Sequence, residues 1–147
     1  MVKDAINRLE DLCDKLPPLL LALEENEISH KPSPGKWSKK EILGHLIDSA
    51  TNNHQRFVRV QFENHPSISY DQNNWNSCSY YNTLNTADLI HFWTFYNRHL
   101  AALAKNIPEK NYSRTCKVGE TNMTLEFIIT DYVTHLEHHL AQLVNYK

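Results

Sequence analysis

The stretch LEFIITDYVTHLEHHLAQLVN, residues 125–145, decides how the chain is read, because it carries an apolar helical period and a cluster of histidines together. Successive residues of a helix advance by about 100°. With His135 as origin, Leu125, Ile129, Val133, Leu136, Leu140 and Leu143 fall between roughly 80° and 160°, a single stripe to be buried. His139 lies about 40° round, at the near edge of that stripe, and His138 lies about 60° the other way. His135 and His139 are therefore the pair nearer the core, at the i, i+4 spacing with which one helix presents two imidazoles to one ion. Asp131 and Gln142 line the same strip, as candidates for orienting a ligand or a substrate. Glu137 falls on the far side. Its position fits neither an HExxH nor an HxxEH protease signature, and a di-iron bundle is disfavoured because it needs a Glu-x-x-His on each of two helices plus further inward glutamates. On this helix alone, a metal pair and a pair of boundary histidines remain alternatives.

Outward from this segment the chain reads as more helices of the same kind. Ile6, Leu9, Leu12, Leu16, Leu19 and Leu23 repeat at three and four, although Pro17-Pro18 is expected to break or bend that helix. HKPSPGKWS, residues 30–38, is a connector, and Ser38 with Glu41 forms a capping box that opens a second helix running to about Gln61. Its apolar stripe is Leu43, Leu46, Ile47, Ala50, Phe57, Val58 and Phe62. His45 sits almost opposite, joined at helical spacing by Asp48, Asn52, Arg56 and Arg59, so periodicity alone makes His45 an exposed polar residue. Residues 63–85 show no sustained period and are expected to be a binding loop or lid, or a surface loop pinned by Trp75 and Tyr81. A third helix opens near Thr86 and ends before Pro108. Residues 116–124 suggest a hairpin around Gly119, and Thr124 caps the last helix. Four amphipathic helices within 147 residues predict an all-α four-helix bundle forming one domain over residues 1–147.

Composition excludes several functions. With 15 Lys plus Arg against 17 Asp plus Glu, a net charge of -2 and no block of like charge, nothing favours nucleic acid or an anionic membrane face. No signal peptide and no run of about 18 apolar residues is present, and the three cysteines Cys13, Cys78 and Cys116 are widely spaced. A cytoplasmic protein with reduced thiols is expected.

Three stretches resemble one known family. PGKWSKKEILGHLIDSATNNHQRF (34–57), YDQNNW (70–75) with Tyr81 and Asn82, and THLEHHLAQL (134–143) are similar, in order and separation, to motifs of the DinB-like (DinB/YfiT) metalloenzymes. The resemblance implies a four-helix bundle that holds a divalent metal ion, with zinc or nickel best suited to an all-imidazole site. It carries the ligand roles onto His45, His135 and His139, and so adds the third ligand that periodicity does not supply. It further implies a small-molecule substrate and, from family members with assigned activities, a transferase of a low-molecular-weight thiol. A metal-dependent hydrolase and a non-catalytic metal-binding bundle are the alternatives. Asn52 and Arg56 are expected to meet an anionic part of the substrate and Trp75 to cover it, with Asp48, Asp131 and Gln142 supporting. A homodimer is expected only from the aromatic residues left for the surface.

Overall fold

The computed structural model describes residues 1–147. Its elements, in chain order, are α1 (Val2–Leu21), α2 (Glu25–Ser29), α3 (Lys39–Arg59), α4 (Gln72–Ser79), a 3-10 turn (Tyr81–Thr83), α5 (Thr86–Lys105), a second 3-10 turn (Glu109–Asn111), the strands β1 (Thr115–Val118) and β2 (Thr121–Thr124), and α6 (Leu125–Leu143). Three of the four long helices, α3, α5 and α6, start where the sequence supplies caps. The Ser38 hydroxyl accepts from the Glu41 amide and the Glu41 carboxylate accepts from the Ser38 amide, closing the capping box. Asn85 and Thr124 cap α5 and α6 in the same way, each accepting from an amide three residues on.

The four long helices form a bundle with an uncommon connectivity. Helix α1 packs on α5 and α6, and α3 also packs on α5 and α6, whereas α1 with α3 and α5 with α6 share no extended contact. Successive long helices α1 and α3 are thus diagonal, as are α5 and α6, in place of the neighbour-to-neighbour order of an up-and-down bundle. Leu12, Leu16, Leu43, Leu46, Ile90, Trp93, Leu100, Leu125 and Leu140 belong to one contiguous core drawn from all four helices. The predicted stripe of α6 is buried throughout. No helix is long and apolar enough to cross a membrane.

Four expectations are corrected. The Pro17-Pro18 pair lies inside α1, which continues to Leu21. The two lost backbone donors fall near the helix end, and Leu16 and Leu20, both fully buried, hold the chain on its helical path across them. His45 is buried, not exposed, because it faces α6 and lies under Trp37 of the connector, while the next face of α3 is covered by α4 and the 3-10 turn at Tyr81. The helix α4 and that turn also occupy the second half of the irregular loop expected over residues 63–85, while its first half stays irregular. The expected stripe residues Val58 and Phe62 are exposed, while Phe57 and Val60 of the same turn are buried, and α3 ends at Arg59 rather than Gln61.

The remaining connections build a wall at the C-terminal end of α3. Residues 115–124 form the expected hairpin, with Gly119 at φ 59° as the first residue of its two-residue turn, a position that favours glycine. The Arg114 guanidinium, just before β1, donates to the Val60 and Glu63 carbonyls at 2.6 and 2.8 Å and satisfies the end of α3. Ile68 and Lys117 exchange backbone bonds with the opposing segment, fixing residues 66–68 along β1.

Gly44 is required by close approach rather than by backbone angle. A Cβ at this position would overlap the Tyr81 ring, which stacks directly over the helix backbone. Gly44→Ala is expected to lower stability by about 1–3 kcal/mol, the range for overpacking. Urea unfolding measures this, and an unchanged midpoint would show that the ring moves aside freely.

Candidate metal centre

Helices α3 and α6 lie side by side, and between them three imidazoles converge. His45 comes from the first third of α3, and His135 and His139 from consecutive turns of α6. Nε2 of His135 stands 3.4 Å from Nε2 of His45 and 3.1 Å from Nε2 of His139. The ligand atoms of all three lie within 4.8 Å of one another. Nitrogens bound to one ion at about 2.0–2.1 Å are separated by about 2.9–3.4 Å in octahedral or tetrahedral arrangements, so the two spacings measured from His135 suit a shared cation.

Tautomers follow from the outer hydrogen bonds. The His139 Nδ1–H donates to Gln142 Oε1 at 3.0 Å, which leaves the His139 Nε2 lone pair directed at the cluster. His45 Nδ1 is buried with no hydrogen-bond partner. Packing orients this ring instead: Trp37 lies over it at 5.0 Å between centroids, with 34° between planes. Burial, reinforced by the neighbouring His139 and His135, pushes the His45 pKa down to about 4. Burial and His139 also lower His135, against the pull of Asp131. Neutral imidazoles with free lone pairs are the form a metal ion needs.

Two clefts flank the cluster. One, about 380 Å³, reaches His135 and runs along α3 over Ser49, Asn53 and Arg56, with Tyr70 and the hairpin as walls and Asp131 on its rim. The other, about 420 Å³, reaches His139 and Gln142 and is bounded by Trp37 and Lys36. Gln72, the first residue of α4, borders both.

Of the residues expected at the site, Arg56, Asp131 and Gln142 border these clefts, while three others do not. Asp48 is buried and accepts a 2.5 Å hydrogen bond from the Tyr81 hydroxyl, tying α3 to the 3-10 turn. Asn52 turns its amide back to the Asp48 carbonyl, one helical turn away, and it is Asn53 that borders the cleft. Trp75 is part exposed on α4 and packs against Tyr70, a residue of the cleft wall, without itself lining the cleft. Glu137 pairs with Arg8 at 2.6 Å, away from the histidines. Sequence reading missed Trp37, Ser49, Asn53, Tyr70 and Gln72. Ser49, Asn53 and Arg56 follow His45 at helical spacing and were open to detection, whereas the approach of Trp37, Tyr70 and Gln72 depends on tertiary packing.

Comparison with known proteins agrees with this architecture. Residues 8–143 match the family model described as the DinB superfamily. A protein of Oceanobacillus iheyensis named "Putative metal-dependent hydrolase OB0782" is 24% identical over 152 residues, covering 99% of this chain and 85% of its own. The Bacillus subtilis protein named "Putative metal-dependent hydrolase YfiT" is 24% identical over 141 residues, covering 94% of this chain and 79% of its own. The solved structure of YfiT, described as "a probable metal-dependent hydrolase with an unusual four-helix bundle topology", superposes with a TM-score of 0.87 at 23% identity, over 97% of this chain and 83% of that one. With its bundle, its connectivity and nearly its whole length accounted for, the chain belongs to the DinB superfamily.

Proposed function

We propose that this chain is a metal-dependent enzyme acting on a small molecule, with a divalent ion held by Nε2 of His45, His135 and His139, and that its reaction is a hydrolysis. The convergence of three Nε2 atoms at the meeting of two open clefts carries this reading, and the relatives' names support the choice of water as nucleophile. A divalent ion bound by three neutral imidazoles keeps its full charge and an open position, and there supplies Lewis acidity toward water, a thiol or a substrate oxygen. Zinc and nickel suit this donor set best.

The chain's own groups have separable tasks. Gln142 holds His139 with its lone pair inward, and Trp37 fixes the plane of His45 by stacking. Asp131, one helical turn before His135 and on the rim of the same cleft, is placed to accept a proton from the attacking nucleophile. The hairpin and Tyr70 wall the substrate off from bulk water. The second cleft, at His139, favours one further reading: it provides room for a second reactant, so a low-molecular-weight thiol seated there would make the reaction a transfer.

Elemental analysis of protein purified without a nickel column is expected to give one metal per chain, and His45→Ala, His135→Ala and His139→Ala are each expected to abolish it while His138→Ala does not. Retention by the His139 variant together with loss in the His138 variant would refute the ligand set. Gln142→Leu is expected to weaken metal binding by about 10–100-fold, as for other groups that orient a ligand. Turnover of an ester, amide and epoxide panel in thiol-free buffer supports hydrolysis. Turnover only with an added thiol supports transfer, and none in either buffer with metal bound leaves a non-catalytic bundle.

The metal-free chain also has a defined pH response. A histidine whose pKa is lowered on folding binds fewer protons folded than unfolded, so its contribution is intact above the unfolded value near 6.5 and is lost as pH falls toward about 4. Chelator-treated protein should therefore unfold at lower urea at pH 5 than at pH 7.5, and the difference should shrink in His45→Gln. Equal midpoints at the two pH values would contradict the burial argument.

A further inference from the structure

Arg56 is 8% exposed and carries no ion pair. Its Nε and Nη2 donate to the Ile68 carbonyl at 3.2 and 3.0 Å, and its Nη1 donates to Asn53 Oδ1 at 3.2 Å. Both acceptors are neutral. Three of the other four arginines are paired with carboxylates, Arg8 with Glu137, Arg59 with Glu63 and Arg98 with Asp14. The fourth, Arg114, sits on the carbonyls at the end of α3, where the helix dipole supplies negative potential. A buried guanidinium without a counter-charge is costly, and burial pulls the Arg56 pKa down accordingly. This one nevertheless borders the 380 Å³ cleft beside the hydroxyl side chains of Ser49 and Tyr70. Asp131 is the single carboxylate on that lining; it is exposed and does not come within ion-pair distance of Arg56.

Of the five N–H groups of a guanidinium, the contacts to Ile68 and Asn53 use three. One N–H on each terminal nitrogen is left to donate to an anion in a charge-assisted bond. A positive charge answered only at a distance by Asp131 matches a monoanion, while a phosphate dianion would leave excess charge facing that carboxylate. We propose that Arg56, with Asn53, Ser49 and Tyr70, forms a carboxylate subsite, so that the substrate of the metal centre is an elongated molecule with its carboxylate remote from the reacting end. His45 and Arg56 lie eleven residues apart on α3, roughly 16 Å between Cα atoms, which sets the scale of that separation. The reacting end rests on the function proposed above; the anion subsite does not.

The test uses metal-free protein, with butyrate, butyramide and inorganic phosphate as probes and the Arg56 Nε–H resonance as readout. Butyrate is expected to shift this resonance saturably and butyramide not to shift it. Calorimetric titration should show butyrate binding weakened about tenfold or more in Arg56→Met, the loss expected for a charge-assisted pair. Since Arg56 also holds Ile68, that variant can lose stability, and Asn53→Asp separates the two roles. It places a permanent counter-ion on Nη1, so it should raise the thermal midpoint while weakening butyrate about tenfold. Unchanged butyrate affinity in Asn53→Asp, or no saturable shift in the unmodified chain, overturns the subsite. Phosphate binding tighter than butyrate overturns its assignment to carboxylates. Failure of butyrate binding with metal loading intact removes the subsite alone, and failure of metal loading with butyrate binding intact removes the metal reading alone.

Discussion

The structure depends on α3 being buried on nearly every side while carrying polar residues on one of them. Lys40, His45, Asp48, Ser49, Asn52, Asn53 and Arg56 are all buried on this helix. Polar groups taken out of water need partners, and the fold supplies them from far along the chain. Lys40 reaches Glu25 and the Leu84 carbonyl, Asp48 receives Tyr81, and Arg56 holds Ile68. Segments that otherwise have little apolar reason to lie across the bundle are thereby drawn onto it. His45 differs from these neighbours in meeting two other imidazoles and an indole face in place of a donor or acceptor with a fixed role.

The diagonal order of the long helices gives this arrangement its shape. Because α1 and α3 do not pack on each other, α3 is free to face α5, α6 and the covering segment 60–85. Because α5 and α6 are diagonal, the hairpin has to cross the end of the bundle before α6 begins, and it arrives above the C-terminal end of α3. A cleft with one floor on α3, one side on α6 and a wall of β-structure is the geometric result.

Helices were legible in the sequence wherever one stripe sufficed for burial. The α6 stripe, the Ser38 capping box, the Thr124 cap and the turn at Gly119 all follow from local chemistry. His45 was not legible by periodicity, since a helix covered on three sides has no solvent face for polar residues to mark. The family likeness had to bring it in. The same limitation explains why Asn52 was preferred to Asn53 and Trp75 to Trp37: a helical wheel separates the faces of one helix but does not say what covers each. Pro17-Pro18 stayed inside α1 because tertiary burial of Leu16 and Leu20 outweighed a local preference to break.

The three histidines come from points ninety residues apart in the chain, and the last of them lies within the final ten residues. Closing a loop of that length carries an entropic cost that the packing of α6 on α3 has to offset before the rings can meet. During synthesis, α1, α3 and α5 emerge before α6, so a nascent chain has its polar α3 stripe without the helix that completes it. Truncation before Leu125 would remove two of the three imidazoles and one whole side of the cleft. The meeting of the three imidazoles therefore depends on α6 having docked against α3.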